Sequence, residues 1–155
     1  DDMALKIKAL DAVIDVEPLP TVPVMPTQLE LVFANLISNA LKYRKPGQKP
    51  LIRIAAEEVN SGQLPAELIP GKRYHRVIVR DNGIGFDEQY AEQIFGLFQR
   101  LHAKTAYEGT GIGLAVCKRI VLAHQGYIAA HSRAGEGATF ELILPERQSV
   151  PTEEW

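Results

Sequence analysis

Two segments alternate apolar with polar residues, 51–58 and 74–81, and they are interleaved with segments whose apolar residues recur every three or four positions. An alternating run puts its side chains on opposite faces of a strand, whereas a period near 3.6 lines one face of a helix. A chain that carries both must bury one side of a sheet against helices. Further strands are expected at 12–16, 127–132 and 138–144, the last two joined by a turn at Gly135-Glu136-Gly137. The fold class that follows is α/β (α+β), a two-layer sandwich of about five strands with three helices on a single face.

The first helix is marked by Thr27-Gln28-Leu29-Glu30, which has the form of a capping box. It should run to about Tyr43 and end at Lys45-Pro46-Gly47, with Leu29, Phe33, Leu36, Ile37 and Ala40 facing the core. Asp87 is expected to start a second helix reaching about Phe95. Gly111 should begin a third, closing at His124-Gln125-Gly126. Residues 59–73, with Gly62, Pro65, Pro70 and Gly71, read as a long hairpin connection, and 101–110 as a mobile loop without apolar period. The whole chain, 1–155, reads as one domain with a core over about 12–145 and a loose tail over 146–155.

A formal net charge of −2 argues against a dedicated nucleic-acid binder. Cys117 is the only cysteine, so no disulfide can form within the chain and a reducing, cytoplasmic setting is expected. Its apolar neighbours make it a buried structural thiol. No run is apolar enough to cross a bilayer, so no membrane contact is expected of this domain; the anchoring of a longer parent is left open.

Three segments could carry chemistry. Asn35, Asn39 and Lys42 stand at spacings of four and three, on one helix stripe beside the apolar one. Mid-helix amides are not favoured by propensity, and magnesium with a polyphosphate would give them a purpose. Alone, the stripe reads more simply as a solvated face. Asp81-Asn82-Gly83-Ile84-Gly85-Phe86 ends a strand in a glycine-bent loop. A carboxylate there could accept from the amino group of adenine, although an ordinary turn accounts for the segment equally well. Gly109-Thr110-Gly111-Ile112-Gly113 precedes a helix, and its backbone N–H groups suit phosphate. It is neither a Walker A loop nor a dinucleotide fingerprint.

In order along the chain, these segments and Ile94-Phe95-Gly96-Leu97-Phe98 resemble the N, G1, F and G2 boxes of sensor histidine kinases. Asn35-Leu36-Ile37-Ser38-Asn39-Ala40-Leu41-Lys42-Tyr43 is similar to the N box, and Gly135-Glu136-Gly137-Ala138-Thr139-Phe140 to the closing strand turn of that family. The resemblance implies a Bergerat ATP-binding fold, with a mixed, mainly antiparallel sheet backed by helices. It implies ATP and magnesium as ligands, with Asn39 on the metal and Asn35 and Lys42 by the phosphates. Tyr43 would flank the adenine, Asp81 would accept its amino group, and Gly83, Ile84 and Gly85 would shape the pocket. Phe95 and Phe98 would anchor a lid. Gly109, Thr110, Gly111, Gly113 and Leu114 would line the phosphates, and Thr139 would sit near the base. Arg100 could meet the γ-phosphate or a partner domain, although surface solvation serves as well.

ATP-hydrolysing relatives carry a glutamate where this chain has Asn35, so the resemblance implies a kinase rather than an autonomous ATPase. It implies phosphoryl transfer to a histidine on a separate helical phosphoacceptor domain, its own or a dimer mate's, and a downstream response regulator. The isolated domain would be monomeric. His75, His102, His124 and His131 lack the phosphoacceptor context; His124 reads as a helix C-terminal residue and the others as surface groups. A nucleotide-holding regulatory module without transfer, or an anti-sigma-type serine kinase, are the competing readings.

Overall fold

The computed structural model describes residues 2–96 and 113–147. In chain order it contains α1 (Asp2–Ala9), β1 (Val13–Val16), α2 (Pro26–Lys42), β2 (Leu51–Glu58), β3 (Tyr74–Asp81), α3 (Gly113–Ala123), β4 (Tyr127–Ser132) and β5 (Ala138–Pro145). Short 3-10 turns lie at Ser61–Gln63, Glu88–Tyr90 and Gln93–Phe95. The strands form one sheet in the order β1-β2-β3-β5-β4. β1 and β2 are parallel and every other pairing is antiparallel. A parallel pair needs a crossover, and α2 provides it.

Register decides which side chains share a face. Ile54, Val79, Phe140 and Ala130 stand opposite one another across four strands, and all are buried with residues of α2 and α3. Arg53, Arg80, Thr139 and His131 form the neighbouring row, which therefore lies on the opposite side of the sheet. On that side, the β2–β3 connection folds back and buries a second, smaller cluster of Leu68, Tyr74 and Ile143. The Tyr74 hydroxyl donates to the Ile69 carbonyl at 3.1 Å, which pins the connection down.

Helix α2 starts at Pro26 with Met25 as its N-cap and no side-chain cap, so the capping box expected at Thr27 does not form. Proline at the first helical position needs no N–H partner, which moves the start ahead of Thr27. The Met25 N–H donates to His124 Nε2 at 3.0 Å, while Nδ1 meets the Ile120 carbonyl at 2.8 Å. These two bonds together require the Nδ1–H tautomer. His124 is fully buried and joins the end of α3 to the start of α2, beyond the simple helix-end role expected of it.

The buried stripe of α2 is Leu29, Val32, Leu36, Ala40 and Leu41; Phe33 and Ile37 are only partly buried. Among the described residues there are three α-helices, but one of them is α1, whose Met3 and Ile7 pack on the core. The helix expected from Asp87 is instead two 3-10 turns, the first capped by Asp87 Oδ1 accepting from Gln89 N–H at 3.1 Å. The separate turns let the adjacent Ile94 and Phe95 both enter the core. The tail is held at its start: Pro145 is buried, and Glu146 N–H donates to the Arg73 carbonyl at 2.8 Å. His75 pairs with Glu146 at 3.2 Å and is mostly covered, so it is not a surface group.

Candidate functional site

Strand β3 ends at Asp81, on the helix side of the sheet beside Ile52. Asp81 Oδ1 accepts the Gly83 N–H at 2.8 Å and the Ala138 N–H at 3.3 Å. Oδ2 takes no hydrogen bond among the described residues. Burial pushes the carboxyl above its ordinary value, with the two N–H donors pulling the other way. The result is a carboxylate fixed through one oxygen with the other left to accept.

The loop after Asp81 is held on three sides. The Ile84 N–H donates to the Tyr43 carbonyl at 2.9 Å, and the Gly135 N–H to the Ile84 carbonyl at 2.6 Å. Asn82 bridges to the other neighbour, accepting from Leu51 N–H at 2.9 Å and donating to the Lys49 carbonyl at 3.1 Å. Asn82 is thus a staple to β2 and turns away from ligand chemistry. Gly83 leaves no space for a side chain, because a Cβ there would lie 2.5 Å from the Tyr43 oxygen. Gly85 has φ +65 and sits against the carbonyl of Gly137 and the hydroxyl of Ser132, so both its conformation and its surroundings demand glycine.

Helix α2 supplies the adjoining wall. Tyr43 caps its end, donating its N–H to the Asn39 carbonyl at 3.0 Å, and the Lys42 ammonium lies 5.7 Å from the centre of the Tyr43 ring. Asn35 faces the first turn of α3: its Oδ1 lies 3.1 Å from where a Cβ on Gly113 would stand. Cys117 is fully buried, its Sγ 3.7 Å from the Val32 carbonyl, and desolvation pushes its thiol up to about 12. The expectation of an inert structural thiol holds.

The site residues expected from sequence separate into groups. Tyr43, capping the helix that carries Asn35, Asn39 and Lys42, bonds Ile84 in the loop of Asp81, Gly83 and Gly85, and Gly113 lies against the same helix at Asn35. Leu114 is turned into the core. Thr139 is not brought to Asp81: its hydroxyl accepts from Arg80 Nε at 3.3 Å on the far side of the sheet. The residue of β5 that does touch Asp81 is Ala138, through its backbone. The Phe95 ring packs edge-on against Phe140 with centroids 6.2 Å apart, so Phe95 itself belongs to the core. Phe98, Arg100, Gly109, Thr110 and Gly111, with the expected lid, lie outside the described residues.

A mixed sheet with a half-satisfied carboxylate at a strand end, over glycines locked to a helix, is the frame of an ATPase-type nucleotide domain. Residues 25–148 match the family described as histidine kinase-, DNA gyrase B-, and HSP90-like ATPase, and the chain belongs to that family. It is 46% identical over 129 residues to cyanobacterial phytochrome A of Nostoc sp. strain PCC 7120, covering 83% of this chain and 15% of that protein. It is 37% identical over 127 residues to the adaptive-response sensory kinase SasA of Synechococcus elongatus, covering 82% of this chain and 30% of that one. Among solved structures, the catalytic domain of histidine kinase ThkA matches with TM-score 0.68 and 25% identity over 96% of this chain and 88% of that one. The mycobacterial sensor histidine kinase MprB shares the fold with TM-score 0.70 and 20% identity, over 95% of each chain. The Bergerat-type fold of the histidine kinase catalytic domains is therefore the fold of this chain, which spans only a small part of its curated relatives.

Proposed function

We propose that this domain binds ATP with magnesium and passes the γ-phosphoryl group to a histidine on a separate helical phosphoacceptor domain, in two-component signalling. The observation that carries the reading is the Asp81 carboxylate, held on Oδ1 by two backbone N–H groups and, among the described residues, without a partner on Oδ2. An acceptor-only group at that place accepts from the 6-amino group of adenine, where guanine carries a carbonyl oxygen; guanine's own donors lie elsewhere on the ring. Gly83 and Gly85 let the loop beside Asp81 pack against Tyr43, Gly137 and Ser132, where a Cβ would clash, and so hold it in place.

The donors on α2 fit the remainder of the ligand. The Asn39 carboxamide offers a hard oxygen without adding negative charge, and Lys42 offers a cation to the phosphates. Magnesium, when bound, offsets phosphate charge during phosphoryl transfer. Asn35 stands where the ATP-hydrolysing relatives carry glutamate, and a neutral amide cannot act as a carboxylate base. Kinase chemistry is favoured over autonomous hydrolysis for that reason, and the relatives named as sensory and histidine kinases favour it over a regulatory module. The phosphoacceptor domain and response regulator would belong to the longer protein. No helix among the described residues is long and apolar enough to cross a membrane.

The test is a thermal-shift titration with Mg-ATP and Mg-GTP on the wild type and on Asp81→Asn, followed by transfer of labelled phosphate to a cognate helical domain. The wild type should be stabilised by ATP and scarcely by GTP, and the variant by neither. A wild type indifferent to ATP, or one that binds it and labels no histidine, would remove the corresponding half of the reading.

A further inference from the structure

The adenine contact just proposed needs a carboxylate that holds its orientation, and Asp81 is held from two segments distant in sequence. One donor is the Gly83 N–H, in the loop 82–86, and the other is the Ala138 N–H, at the start of β5. If either segment drifts, Oδ1 loses a partner and the carboxylate can rotate. We infer that Ser132, the last residue of β4, is a positioning residue for nucleotide recognition, coupling these two segments through one hydroxyl.

Ser132 Oγ accepts the Phe86 N–H at 2.8 Å and donates to the Gly137 carbonyl at 2.6 Å. A hydroxyl carries one proton and two lone pairs, so both bonds form at once. The Arg133 carbonyl, at 3.5 Å, is too far to compete for the proton. Phe86 closes the loop that holds Gly83, and Gly137 immediately precedes Ala138, so each bond anchors one of the two segments that grip Asp81. The Ser132 N–H donates to Glu88 Oε2 at 2.7 Å, which brings the following 3-10 turn to the same strand end. At Gly85 a Cβ would lie 2.7 Å from both Ser132 Oγ and the Gly137 oxygen, so the hydroxyl sits packed against this turn.

A purely structural staple would cost stability and leave base preference untouched, whereas a positioning residue changes which purine binds. This inference rests on the adenine reading of Asp81. Calorimetry on this chain with Mg-ATP, Mg-ADP and Mg-GTP separates the two roles. Ser132→Ala should weaken ATP about tenfold, the loss of one to two ordinary hydrogen bonds. ADP should weaken by the same factor, since the effect is at the base, and the preference for ATP over GTP should narrow. Ser132→Thr, which keeps the hydroxyl, should restore the preference; if Ser132→Ala does not fold, Ser132→Cys, a weaker donor, gives the same comparison. An Ser132→Ala domain with the wild-type ATP-to-GTP ratio overturns the role of Ser132 alone. A wild type that binds neither nucleotide overturns the adenine reading and this inference with it.

Discussion

The carbonyl of Tyr43 accepts the N–H of Ile84 at 2.9 Å, so the residue that caps α2 and the glycine turn after β3 are joined backbone to backbone. The bond ties the helix that carries Asn35, Asn39 and Lys42 to the strand that carries Asp81. Gly83 lies directly beneath it.

Gly83→Ala should break this junction. The added Cβ would stand 2.5 Å from the Tyr43 oxygen and 2.9 Å from Asp81 Oδ1, and neither a backbone carbonyl nor a bonded carboxylate can move far. A loss of about 1–3 kcal/mol in urea unfolding is expected from overpacking of this kind. The ATP-induced thermal shift should fall with it. A variant with wild-type midpoint and wild-type ATP response would show that the junction is soft.

Asp81 predicts a pH dependence of known sign. Burial raises its carboxyl above the ordinary 3.8, so the folded state holds the proton more tightly than the unfolded state does. Its favourable contribution is complete below the unfolded value and is lost as pH rises through the folded one. The ligand-free Asp81→Asn domain, neutral throughout, should therefore be at least as stable as the wild type at pH 7. The difference should shrink as pH falls below 3.8. Paired urea titrations across that range check it; a wild type clearly more stable than the variant at pH 7 would contradict the sign.

His124→Ala should be among the costly substitutions away from the site. It opens a cavity at a fully buried position and strands the Met25 N–H, while the Ile120 carbonyl keeps the backbone N–H of residue 124. A destabilisation of about 2–4 kcal/mol is expected from the cavity and the lost bonds together. The ATP-to-GTP preference should survive. Chemical denaturation with nucleotide titration measures both.

Cys117 should resist thiol reagents in the native state. It is fully buried and its thiol is pushed up to about 12, so almost no thiolate exists at pH 8. Labelling with a disulfide reagent should be slow in buffer and rapid in denaturant, and saturating Mg-ATP should slow it further if nucleotide suppresses opening. Fast labelling of the native domain would mean that α3 does not pack on α2 as described.

The strands and the two long helices were legible because their patterns are local. Residues 51–58 and 74–81 alternate cleanly, and both strands occupy those bounds. Asp81, Gly83 and Gly85 could be picked out because a carboxylate and two glycines at one strand end form a short, ordered motif. The start of α2 was misplaced because Thr27 and Glu30 satisfy the capping pattern, while Pro26 and the contact from His124 decide the real boundary. Helix α1 gave little signal, since its packing depends on the core that Met3 and Ile7 meet.

Sequence alone singled out the residues proposed for the pocket, because adenine, metal and phosphate each require particular donors and acceptors within short stretches of chain. Tertiary structure decided which face each strand residue occupies. Thr139 is one residue from Ala138, yet register turns it toward Arg80 and away from Asp81. It also made Ser132 a partner of Phe86, since hydrogen bonds between distant segments leave no periodic trace in the chain.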